Sequence, residues 1–349
     1  MLLCLTGCTT LGYYAQAIDG HLDLMARRQP IEQVSRNPDT SVELREKLAQ
    51  VLALREFASR GLGLPANDSY RTYVALRRPY VVWNVFAAEE FALEPKTWCF
   101  LVAGCVSYRG YFSRDSAYDY ARELRTQGYD VFVAGAIAYS TLGWFDDPLP
   151  SPLLTRSLPE VAGVIFHELA HQRLYVKDDS AFNEAFAVTV ERQGVERWLS
   201  ETEQTEAAAA YRKAQLARDE FLALVAAIRE ELTVLYSSNL SEDDKRLSKS
   251  QILRSASNRA GSAQASSKYR NWLADGLNNA KLVSVATYYD LVPGFANLLA
   301  VTNGDLDAFY QAAESLAALP REHRRTELQR LSRRVRTREP NPAALDEAG

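Results

Sequence analysis

Long apolar runs are missing from this 349-residue chain. A bilayer-spanning helix takes about 20 consecutive apolar residues, and no stretch supplies them. Charge of one sign is missing too. Forty Lys and Arg against 44 Asp and Glu leave a net charge of -4, without the basic excess that marks a nucleic-acid binder. No internal repeat recurs, which excludes solenoids and propellers. Histidine and cysteine are scarce, with four of each. What remains is ordinary for a globular protein, 47% hydrophobic and 24% charged, with length for one large or two medium domains.

Two of the four histidines fall in one heptapeptide, Phe166-His167-Glu168-Leu169-Ala170-His171-Gln172. The spacing is H-E-x-x-H. Residues four apart on a helix lie one above the other, so His167 and His171 aim two imidazoles at a common spot. Glu168 stands beside them, within reach of a water held there. A catalytic zinc ion needs neutral nitrogen ligands, an open position and a nearby base. Val161, Val164, Ile165 and Leu169 form an apolar stripe around the polar pair, and Pro159 suits the first turn. Two surface histidines on an ordinary helix would not sit among such residues, where an unpaired imidazole is costly to bury.

A third protein ligand is required. His21 and His323 lie near the two ends, outside any stretch that looks like a site. Asn183-Glu184-Ala185-Phe186-Ala187 is a better candidate. Asp179 or Ser180 can cap a second helix running to about Leu199, with Phe182, Phe186, Val190 and Trp198 at helical spacing. A connection from about Arg173 to Ser180 would fold this helix back, bringing Glu184, in its first turn, to face the imidazoles. Glu191, two turns further along the same face, is the alternative acid.

His167, Glu168 and His171, followed by an Asn183-Glu184 pair opening the next helix, resemble the gluzincin branch of the zincin metallopeptidases. The Asn183–Ala187 string is similar to the N-E-x-F-A piece of gluzincin aminopeptidases. From Tyr13 to about Leu319 the chain resembles a bacterial family of putative aminopeptidases, many of them lipoproteins. Cys105-Val106-Ser107-Tyr108-Arg109-Gly110-Tyr111, Ala138-Tyr139-Ser140-Thr141-Leu142-Gly143-Trp144-Phe145 and Thr287-Tyr288-Tyr289-Asp290 carry that likeness. The resemblance implies zinc held by His167, His171 and Glu184, Glu168 as general base, and a peptide substrate. Two features depart from the pattern. The gap from His171 to Glu184 is shorter than in well-known gluzincins, which keeps Glu191 in play. The Gly-rich string that binds a substrate's free amine has no counterpart beyond Gly143. Three activities therefore stay open: aminopeptidase, endopeptidase, or a peptide-binding scaffold that retains the zinc site.

The rest of the chain fits an α+β, predominantly helical protein. Helices are expected from Tyr13 to Arg60, with Ile18, Leu22, Met25 and Ile31 on the first buried face, and a polar helix over roughly Asn67 to Ala75. Tyr80–Phe86, Thr97–Val106 and Val131–Ala138 read as strands, with a helix over Asp115–Gln127 capped by an Asp. By the resemblance this is the zincin upper lobe, whose last strand, Val131–Tyr139 or the following Ser140–Trp144, would border the cleft and pair with an extended peptide. Asp146 and Asp147 lie in a Pro-rich connection and read as solvated turn residues, with reception of a substrate's amino terminus as the alternative. After Leu199 the sequence is almost entirely helical, including a hairpin of Glu201–Tyr236 with Asp243–Ala256. A tyrosine is expected to donate to the oxyanion of amide attack, with Tyr289 preferred and Tyr288 and Tyr139 as alternatives. Arg321 onward, rich in arginine, reads as a solvated tail.

Leu5-Thr6-Gly7-Cys8 resembles a lipobox, which makes Cys8 a lipidation site and the periplasmic face of the envelope, at the outer membrane, the expected location. The preceding apolar segment is short and lacks a basic start, so this reading places the true start upstream. Residues 1–8 are then a signal segment, 9–320 one catalytic unit divided near 150, and 321–349 the tail. Cys99 and Cys105 would be available for a disulfide in that compartment; two buried free thiols in a strand is the slightly favoured expectation.

Overall fold

The computed structural model describes residues 6–100, 104–262 and 267–334. Met1–Leu5 lie outside the described residues, as does the side chain of Cys8. The fold is α+β and predominantly helical, as expected. In chain order, the first part holds α1 (Thr6–Ala26), β1 (Gln29–Pro30), α2 (Ile31–Arg36), α3 (Val42–Leu62) and β2 (Thr72–Val74). Next come β3 (Val82–Ala88), β4 (Trp98–Phe100), β5 (Gly104–Val106), β6 (Arg109–Tyr111), α4 (Arg114–Thr126), β7 (Asp130–Ala136) and β8 (Leu149–Pro150). The remainder is helical: α5 (Leu158–Arg173), α6 (Ser180–Glu201), α7 (Thr205–Tyr236), α8 (Glu242–Ser262), α9 (Ser267–Ala274), α10 (Asn279–Tyr289), α11 (Val292–Val301), α12 (Leu306–Ala317) and α13 (Arg321–Arg334). Among the described residues, no helix is long and apolar enough to cross a membrane.

The sheet that matters for the site has the antiparallel order β6-β3-β7. Strand side chains alternate between faces. Trp83, Val85 and Ala87 pack on Ala117, Ala121 and Leu124 of α4. Phe86 and Ala88 pack on Ala280 and Val283 of α10, while Val82 and Asn84, on that same face, line a cleft. Beneath the cleft, α5 and α6 pass through the main core, where Phe166, Phe182, Phe186, Phe295 and Phe309 are fully buried. Helices α7 and α8 form the expected hairpin around Phe221, Val225, Ile228 and Leu232.

Several local expectations are corrected. Within Thr97–Val106 two short strands, β4 and β5, pair antiparallel in a register that sets Cys99 directly opposite Cys105. The two form a disulfide, because direct cross-strand neighbours bring their Cβ atoms together; neither is a free buried thiol. Helix α4 is capped by Ser113, which accepts from the Ser116 amide. Asn67–Ala75 is not helical. Buried Arg55 donates to the carbonyls of Pro65, Asn67 and Ser69 at 2.5–2.9 Å, withholding them from a helical ladder. Ile18 and Leu22 of α1 are exposed. That helix docks instead through Gly20, which lies against Phe112 with no room for a Cβ, and through Tyr13, which stacks on Arg109 at 4.0 Å. Of the expected solvated tail, Arg321–Arg334 form α13, which docks on the core, and residues 335–349 lie outside the described residues. Leu328 and Leu331 enter the main core, and buried Arg324 pairs with Asp179 at 2.9 Å.

Candidate metal centre

Helix α5 begins with a capping box in which Ser157 and Glu160 bond reciprocally, with Pro159 in the first turn between them. Val161, Ile165 and Leu169 enter the core, so His167, Glu168 and His171 face the cleft. The chain then turns in six residues, Leu174–Asp179. Asn183 fixes this turn by accepting from the Val176 amide at 2.8 Å and donating to its carbonyl at 2.7 Å. Asp179 caps α6 at the Phe182 amide while paired with Arg324. Glu184 accordingly sits in the second turn of α6, not the first, and meets the imidazoles.

The Nε2 atoms of His167 and His171 are 3.2 Å apart. One Glu184 carboxylate oxygen lies 3.2 Å from the first and 3.6 Å from the second. These residues form the one candidate metal-holding group found among the described residues. A tetrahedral zinc with bonds of about 2.0–2.2 Å separates its donors by roughly 3.3–3.6 Å, so the triangle has the size that such an ion requires. The donor chemistry, two imidazoles and a carboxylate with a cleft beside them, also fits. Nδ1 of His171 is buried and has no hydrogen-bond partner among the described residues.

Glu191 sits on the other side of the His167 ring, 3.2 Å from Nδ1, and is approached by Arg218 at 3.6 Å. It can receive the Nδ1 proton and leave Nε2 free to ligate, the familiar supporting role of a carboxylate behind a metal-bound imidazole. Gly163, one turn before His167, makes room for it, since a Cβ there would meet the Glu191 side chain at 3.3 Å. Both carboxylates are buried, which works against their ionisation. The imidazoles nevertheless hold Glu184 down to about 2, and His167 and Arg218 help hold Glu191 below its ordinary range. Burial would lower the basicity of His167, but hydrogen bonds to Glu184 and Glu191 reverse this and leave it raised. So much negative charge around two imidazoles favours a cation.

Above the metal group, a cavity of about 330 Å³ is lined by Glu168 and by Tyr108, Tyr139, Tyr175 and Tyr288. Burial, reinforced by the charge of Glu184, keeps the Tyr288 phenol protonated. Tyr289 does not line this cavity. Its ring lies near Arg218 and in a separate pocket with Arg192 and Asp219; consecutive helical residues point about 100° apart, which turns Tyr289 away from the cleft that Tyr288 lines. The segment Ala138–Leu142 lines the cavity, and β7 is an edge of its sheet. Asp147 is buried, accepting from the Thr141 amide and hydroxyl, both at 2.9 Å, and is a clasp within its loop. Tyr108 was not singled out by sequence reasoning. It lies in the short link between β5 and β6, outside any strand, and its only signal was its place in the Cys105–Tyr111 string.

No curated protein and no solved structure matches the chain. Residues 12–328 match the family described as "Putative aminopeptidase". With nearly the whole chain covered, the protein belongs to that family.

Proposed function

We infer that the protein is a zinc-dependent peptidase. The observation that carries this reading is the triangle of His167, His171 and Glu184 donors opening into a cavity that also holds Glu168. When bound, zinc would supply a Lewis acid that lowers the pKa of a water from about 15.7 towards 7. Glu168 then takes the attacking water's proton and returns it to the departing amine. The Tyr288 phenol, in the same cavity, donates to the oxyanion. Glu191 holds the His167 ring in its ligating tautomer. The small sheet ahead of α5 plays the upper lobe of a zincin, and an extended substrate lies along β7 or Ala138–Leu142. Metal analysis of the purified protein tests this: one zinc per chain, lost in a His167→Ala, His171→Ala double variant, is expected. Absence of stoichiometric metal sinks it.

Family membership supports aminopeptidase action. One observation favours the endopeptidase alternative. Glu168 and Glu184 are the only acids lining the cavity among the described residues, and both already have roles, so a free ammonium group meets no dedicated carboxylate. Paired peptides with free and acetylated amino termini separate the two, since cleavage of both forms means endopeptidase.

The Leu5-Thr6-Gly7-Cys8 string supports lipid anchoring at Cys8 on the periplasmic side of the envelope. The Cys99–Cys105 disulfide is in keeping with that oxidising compartment. Metabolic labelling with a fatty acid, abolished by Cys8→Ser, is the check.

A further inference from the structure

The cavity beside the metal group has a composition that its catalytic residues do not explain. Its walls away from His167 and His171 are mostly aromatic and aliphatic, with Tyr13, Phe100, Phe112, Tyr139, Val106 and Leu142, and carry uncharged polar side chains at Asn84 and Ser140. The rings form two pairs. Tyr13 stacks on Phe100 with centroids 5.5 Å apart, and Phe112 meets Tyr139 edge-on at 5.1 Å. Among the described residues, no Lys, Arg or Asp lines the cavity. The cavity's two carboxylates, Glu168 and Glu184, lie at the metal group, so a charged substrate side chain set against the ring pairs would lose its hydration without gaining an ion pair there. A flat or branched apolar group would gain aromatic contact.

We propose that these rings form the substrate side-chain subsite, and that the enzyme selects a bulky, uncharged residue, aromatic or large aliphatic, next to the bond it cleaves. This rests on the peptidase reading above and adds a substrate class to it.

Helix α1 completes the subsite. It contributes Tyr13 and Ala17 to the lining and is held by three contacts away from the catalytic residues. Arg109 lies between the rings of Tyr13 and Tyr120, 4.0 and 4.5 Å from their centroids. Gln16 accepts from the Phe112 amide at 3.2 Å. Gly20 lies against the Phe112 ring, where any Cβ would displace it. Gly20 is thus a specificity determinant that touches neither metal nor substrate. A side chain there pushes α1 and Phe112 apart and opens the wall.

The test uses the full-length, zinc-loaded protein and peptides of one backbone that differ only at the residue flanking the scissile bond. kcat/KM for Phe or Leu is expected to exceed that for Lys or Asp by at least about 100-fold, the discrimination expected when a site cannot satisfy a buried polar group. Gly20→Ala should cut this ratio roughly tenfold while zinc stoichiometry is retained; should it fail to fold, Tyr13→Ala serves the same purpose. Equal rates across the series, or preference for a charged residue, overturn the proposal. If no peptide is cleaved, the peptidase reading fails on its own. Binding of hydroxamates bearing benzyl, isobutyl or aminobutyl groups then decides the subsite. Tighter binding of the benzyl and isobutyl compounds upholds it, and indifference to the group refutes it.

Discussion

Replacing Glu184 and Glu191 one at a time separates a ligand from its support. The Glu184 carboxylate lies 3.2 and 3.6 Å from the two Nε2 atoms, whereas Glu191 reaches only Nδ1 of His167. Glu184→Ala removes a buried charged donor, a loss on the order of 3–5 kcal/mol by analogy with broken buried ion pairs. At about 1.4 kcal/mol per decade, Kd for zinc rises by roughly two to three and a half orders of magnitude. Glu191→Ala removes a partner behind the ligand, typically a 10–100-fold loss of affinity, or about 1.4–2.7 kcal/mol. Competition against a chromophoric chelator measures both. Thermal unfolding supplies a second readout. With free zinc at about 100 times the parent Kd, the parent gains about 2.7 kcal/mol of stability; Glu191→Ala should keep roughly 0.4–1.4, and Glu184→Ala almost none. Loss of zinc by Glu191→Ala with retention by Glu184→Ala would refute the assignment, as would two variants that bind like the parent.

Glu168→Gln should keep stoichiometric zinc and lower kcat by about 10²–10⁴-fold, the usual worth of a positioned general base; an active variant would move the base elsewhere. Tyr288→Phe should lower kcat by about 100-fold or more as an oxyanion donor is lost, whereas Tyr289→Phe, outside the cavity, should leave kcat within about twofold; the reverse ranking in steady-state assays would reinstate Tyr289. Burial raises Asp147 from 3.8 to about 7, against the pull of its Thr141 hydrogen bonds. An acid raised in the folded state holds its proton there while the unfolded chain gives it up, so stability falls as pH rises from about 4 to 7 and stays lowered above. The penalty is at most roughly 4 kcal/mol at about 1.4 kcal/mol per unit, and Asp147→Asn should flatten that slope in urea titrations at pH 4 and pH 8.

The amino-acid order alone determined what is local. A one-turn spacing puts His167 and His171 on the same side of any helix that forms. The Asp179 cap and the apolar spacing of Phe182, Phe186 and Val190 mark the start and path of α6, and the periodicity of Phe221 to Leu232 marks α7. What only the tertiary structure decided depends on which surfaces meet. Glu184 and Glu191 lie on one helix face and are alike in sequence; the close approach of α5 and α6 at Gly163 sends one to Nε2 and the other to Nδ1. Tyr288 and Tyr289 are chemically equivalent neighbours until α10 docks against β3. Ile18 and Leu22 form an apolar stripe that the chain leaves in solvent, because Gly20 and Tyr13 offer the tighter fit against Phe112 and Arg109. Arg324 reads as one of a run of surface charges, yet Asp179, 145 residues away, draws it into the interior. Periodicity records that a face exists, and long-range packing selects its partner.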